Sequence, residues 1–147
     1  MQFRFLTLAL FIALSSQLRA EEASAVSKIN ACNLAIKEGD ASKALAYAEQ
    51  VLKLDGNNRE ALLCKGRAHG GTGQNKEALV ALQAAEKFSA SSLEHMVALT
   101  LIGNVQVADK KYSEAIASYK QSLALAQEAK NARFTRINHN QIGDAYV

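Results

Sequence analysis

Residues 99–125 read LTLIGNVQVADKKYSEAIASYKQSLAL, and this stretch decides the fold. Leu99 and Ile102 lead into Gly103, Ala115 follows that glycine by twelve residues, and Tyr119 lies four beyond the alanine. Apolar residues recur at helical spacing on both sides of Asp109-Lys110-Lys111, so the spacing predicts two helices joined by a short polar turn. Helices that cross closely need a small residue at the crossing and larger apolar residues beside it. Gly103 and Ala115 supply the first requirement; Leu99, Ile102 and Tyr119 supply the second.

The same size pattern recurs along the chain. The small position of the second helix falls at Ala44, Ala78 and Ala115, at intervals of 34 and 37 residues. The small position of the first helix falls at Cys32, Gly66, Gly103 and Gly143, at intervals of 34, 37 and 40. A period of 34 resembles that of the tetratricopeptide repeat, and longer intervals place insertions in loops, which tolerate them. The resemblance is fullest in the third unit, with Leu99, Ile102, Gly103, Tyr112, Ala115, Tyr119 and Ser122 in place. The second unit keeps Leu62, Gly66, Gly73, Ala78, Leu82 and Ala85, with Lys65 and His69 where large apolar residues are usual. The first has Lys28, Ala31, Ala35 and Ala48 at large positions, as expected of an end unit with one face in water.

The resemblance implies an all-α fold: a right-handed superhelical stack of helix-turn-helix repeats. It implies about three repeats and an incomplete fourth over residues 21–147, because Asn140 to Tyr146 resembles a first helix without its second. The expectation is that the sequence is the front part of a longer protein. The alternatives are that this last helix is a cap, or that it packs on a partner chain, including by self-association.

Composition agrees with helices: among 147 residues there is no Pro, and 49% are hydrophobic. Helices are expected over 21–38, 40–54, 59–69, 75–88, 92–108 and 112–129, with a seventh containing Phe134, Ile137, Ile142 and Tyr146. Asp40 and Asn58 suit helix N-caps, Ser91 with Glu94 suits a capping box, and Gly56 suits a left-handed helix end.

Residues 1–20 have the layout of a secretory signal peptide, with Arg4 ahead of an apolar run from Phe5 to Leu14 and a polar stretch ending at Ala20. That run is about half the ~20 residues a membrane-spanning helix needs. Export to the periplasm with cleavage is the expectation, and membrane contact is not expected afterwards. An uncleaved signal anchoring the protein to the inner membrane is the alternative. Cleavage removes Arg4 and Arg19 and leaves 15 of the 17 basic residues against 14 acidic ones. That near-neutral balance gives no footprint for nucleic acid. The basic groups Lys110-Lys111 and Lys130, Arg133, Arg136 are expected to be solvated turns.

No enzyme constellation is present. Gly70-Gly71-Thr72-Gly73 lacks the spacing and the Gly-Lys-Ser/Thr ending of a phosphate loop and is expected to end a helix. His69, His95 and His139 fall on separate first helices without metal-ligand spacing, so neither a metal nor a cofactor is expected. Cys32 and Cys64 form an even pair on adjacent first helices. An oxidising compartment permits a disulfide between them, but the expectation is two packed thiols, because Cα atoms must lie within about 7 Å to be bridged.

The resemblance implies a protein-protein interaction scaffold or adaptor, here of the cell envelope, whose first helices line a concave surface for a partner protein or peptide. Asn33, Arg67, Val97, Thr100, Asn104 and Val107 are the candidate partner-binding residues, with Asn33, Arg67 and Asn104 at equivalent positions of three consecutive repeats. Asn33 matches one position of the clamp by which some family members grip a terminal carboxylate. Ile29, Cys64, Val97 and Leu101 occupy the others, so that clamp is not expected. The alternative role is an N-terminal regulatory region of a larger enzyme or receptor continuing beyond residue 147.

Overall fold

The computed structural model describes residues 2–146, with side chains from residue 17 onward. Seven helices follow one another: α1 (Gln2–Glu38), α2 (Ala41–Leu52), α3 (Arg59–Gly71), α4 (Asn75–Lys87), α5 (Ser92–Ala108), α6 (Tyr112–Glu128) and α7 (Ala132–Ala145). No strand occurs among the described residues. The helix ends carry the caps that their sequences call for. Asp40 accepts from the Lys43 N–H and Asn58 from the Ala61 N–H, while Ser91 and Glu94 complete a reciprocal capping box. Gly73 ends the α3 turn in the left-handed region at φ +75°, which only glycine adopts without cost. The four-residue run 70–73 is therefore a helix end.

Two local expectations change. Gly56 is not among the residues with positive φ. The α2–α3 turn is made instead by Asp55, whose side chain accepts from the Asn57 N–H while its carbonyl accepts from Asn58. The first helix does not start at residue 21 but runs unbroken from Gln2. The side chains of residues 1–16, on which most of the signal-peptide reading rests, lie outside the described residues. Among the described residues, no helix is long and apolar enough to cross a membrane.

Each helix packs on the next, and the odd-numbered helices also meet one another: α1 meets α3, α3 meets α5, and α5 meets α7. Among the described residues, no Cα atoms of two even-numbered helices come within 8 Å of one another. Close approach on one side and separation on the other bend the stack, so α1, α3, α5 and α7 line its inner, concave face. Within a pair, the small position sets the approach. A Cβ on Gly66 would collide with the Leu82 side chain, and one on Gly103 with the Tyr119 ring. In the first pair the sizes are reversed, with Cys32 facing the segment around Ala44 and Ala48, all buried. The three-residue insertion before α5 is held by Arg59, which donates to the Ser89 hydroxyl (3.1 Å) and the Glu94 carbonyl (2.9 Å).

Cys32 and Cys64 are joined in a disulfide, which corrects the expectation of packed thiols. Their Cα atoms are 6.4 Å apart, inside the bridging range, because α1 and α3 touch directly. Both are 1% exposed.

Candidate functional site

The concave face carries two adjoining cavities. One, of about 370 Å³, is walled by Leu63 of α3, Val97, Thr100 and Leu101 of α5, and Phe134 and Ile137 of α7, with Asn33, Glu60 and Arg67 at its polar side. The other, of about 260 Å³, is lined by Ile36, Gly70, Leu101, Val105 and Ala108 together with Arg67 and Asn104. Arg67 and Leu101 belong to both. The apolar walls follow from register: Ile137 stands 40 residues after Val97, the same interval that separates Gly143 from Gly103. They therefore occupy equivalent turns of neighbouring first helices.

The six sequence-predicted residues fall in different places. Asn33 and Arg67 are brought together, with Arg67 Nη1 donating to Asn33 Oδ1 at 3.0 Å. Asn104 is exposed, and its Oδ1 accepts from the Tyr119 hydroxyl at 2.8 Å. Val97 walls the larger cavity. Thr100 presents only its edge there, 9% exposed, because its hydroxyl turns inward. Val107 is half-buried and lines neither cavity.

Thr100 belongs to a buried polar network that sequence reasoning missed. Ser122 donates to the Met96 carbonyl (3.2 Å) and Asn138 Nδ2 to Ser122 Oγ (2.8 Å), while the single Thr100 proton is shared between the Met96 carbonyl (2.8 Å) and Asn138 Oδ1 (3.2 Å). Asn138 and Ser122 are fully buried. The network ties α7 to α5 and α6 and so fixes the Phe134–Ile137 wall. Asn138 sits one residue after Ile137 in a mostly polar helix, so its inward position had no apolar signal.

Tyr119 supports the same face from beneath. It is fully buried, and burial, followed by the charge of Asp144, pushes its phenol up to about 12. The phenol therefore remains a proton donor to Asn104 at any physiological pH. Two of the three histidines bond across a helix junction, His95 to Glu86 at 2.7 Å and His69 to Gln74 at 2.5 Å, and His139 is exposed. Among the described residues, no three of His, Cys, Asp and Glu gather in a group that could hold a metal.

A curved stack of antiparallel helix pairs with a polar and apolar inner groove defines a class, the helical-repeat solenoids. The family model of the tetratricopeptide repeat matches residues 97–128. Among solved structures, a mutant of Thermobaculum terrenum O-GlcNAc transferase is similar, with a TM-score of 0.70 and 23% identity. The match covers 85% of this chain and 22% of that one, and a likeness at this identity speaks for the fold alone. No curated protein matches in sequence. Residues 97–128 match a tetratricopeptide repeat, and the chain as a whole has the fold of a helical-repeat stack. Such repeats are non-catalytic scaffolds that generally mediate protein-protein interaction.

Proposed function

We propose that the concave face of α1, α3, α5 and α7 binds an extended segment of a partner protein, and that the protein acts as an adaptor at the cell envelope. The observation that carries this reading is the pair of adjoining cavities sharing Arg67 and Leu101, which alternate polar donors with apolar walls along one groove. Extended peptides present that chemistry, with polar groups along the backbone and side chains for the pockets. Two features support export: the signal layout of residues 1–20 and the buried Cys32–Cys64 disulfide, a bond that persists in oxidising compartments.

A second reading is favoured by Gly143. No heavy atom lies within 4 Å of where its Cβ would be, whereas the equivalent Gly66 and Gly103 receive Leu82 and Tyr119. A further helix seated on α7 would fill that position. A regulatory region of a larger enzyme or receptor, or a second copy of the chain, would provide one.

The test is affinity purification of the tagged full chain from its native cells, beside Val97→Asp in the groove and Val80→Asp on α4. A protein retained by the wild type and by Val80→Asp but lost with Val97→Asp supports the groove. Loss with Val80→Asp alone, or with neither, contradicts it. N-terminal sequencing of the recovered protein tests export, with Glu21 as the expected first residue and Met1 as the contradicting one.

A further inference from the structure

We infer that the groove selects a partner segment in which a carboxylate lies between two large apolar side chains, with the carboxylate seated on Arg67; this rests on the groove-binding reading above. Asn33, Arg67 and Asn104 occupy one position in three consecutive repeats, and none of them presents a side-chain acceptor without a partner. Asn33 Oδ1 is taken by Arg67 at 3.0 Å. Asn104 Oδ1 is taken by the Tyr119 hydroxyl at 2.8 Å. A guanidinium has no acceptor at all. The row therefore presents N–H donors as its unpartnered groups, and acceptor atoms are the ligand groups that match it best.

The charge at its centre selects among acceptors. Among the described residues, no carboxylate lies within ion-pair distance of Arg67. The acid at the edge of the larger cavity, Glu60, is paired with its neighbour Arg59. The Asn33 bond fixes one edge of the half-buried guanidinium and leaves its other donors for a ligand. A preoriented guanidinium prefers a carboxylate to a neutral carbonyl, since charge-assisted bonds are about twice as strong.

The cavities supply the spacing. Arg67 lines both, with Leu63, Val97, Phe134 and Ile137 on one side and Ile36, Val105 and Ala108 on the other. Side chains of an extended peptide face the same surface at every second residue. The complementary segment therefore carries an acidic residue with large apolar residues two positions before and two after it.

The test uses three libraries of acetylated, amidated peptides, randomised except for a core Leu-x-Z-x-Leu in which Z is Glu, Gln or Lys. Each is passed over the immobilised full chain. The expected result is about tenfold greater retention of the Glu library than of the Gln library. That preference should fall to within about twofold in Arg67→Gln and narrow in Asn33→Ala, while the Leu positions remain preferred. Circular dichroism establishes that both variants fold, and Val105→Ala serves as a second variant that should weaken retention without changing the Glu preference. Peptides retained without a Glu preference, or with one that survives Arg67→Gln, overturn the inference and leave the groove reading standing. No retention of any library over a resin control overturns both.

Discussion

The ring of Tyr119 occupies the space that a side chain at position 103 would need, and Leu82 occupies the corresponding space at Gly66. This 16-residue relationship between the first and second helix sets how closely each pair packs. Replacing either glycine by alanine forces buried atoms apart, and overpacking of this kind costs about 1–3 kcal/mol. Gly143→Ala meets nothing and gains helix propensity, worth about 0.5 kcal/mol near a helix end. Urea unfolding should rank Gly103→Ala and Gly66→Ala well below the wild type, with Gly143→Ala level or slightly above.

The disulfide closes a separation of 32 residues between the first two repeats. Loop-closure entropy for that length corresponds to about 3–4 kcal/mol. The Cys32→Ala, Cys64→Ala double variant should unfold at clearly lower urea, and alkylation of the native, unreduced protein should label neither cysteine.

Alkaline stability should report on Tyr119. Its phenol ionises near 12 in the folded protein against an ordinary value of 10. Because the folded value is the higher one, the stabilisation is complete below pH 10 and is lost as the pH rises from 10 towards 12. The loss approaches about 2 kcal/mol. In Tyr119→Phe this component should vanish, so the stability difference between the two proteins should narrow across that range.

Asn138→Ala should loosen the outer wall of the groove. It removes the two buried bonds that hold α7 to Thr100 and Ser122 and leaves a void in a fully buried setting, at a cost of about 2 kcal/mol. Hydrogen exchange should rise in α7 before it rises in α3 or α4.

Much of the fold was legible because each helix pair is specified locally. Apolar spacing marked the helices, Asp40, Asn58 and Ser91 marked their starts, and the recurrent small residue marked the crossings. What could not be read depends on how one pair sits on the next. The approach of α1 to α3 that lets Cys32 reach Cys64 is such a feature. So is the burial of Asn138, whose polar side chain gives no periodic signal. The groove was legible as a row of positions, but not as a set of bonds. The sequence placed Asn33, Arg67 and Asn104 in register without showing that Arg67 and Tyr119 donate to the two amide oxygens. Thr100 pointed to the groove by register and turned inward because Ser122 and Asn138 meet its hydroxyl there.

Whether the inner face is the working face is tested most directly by photo-crosslinking in living cells. A benzophenone amino acid would be placed at Val97 in the larger cavity, and separately at Val80, 68% exposed on α4. A discrete crosslinked protein should appear from position 97, not from position 80, and should weaken when Arg67→Gln is added. Crosslinks confined to position 80, or unchanged by the loss of Arg67, would contradict the account.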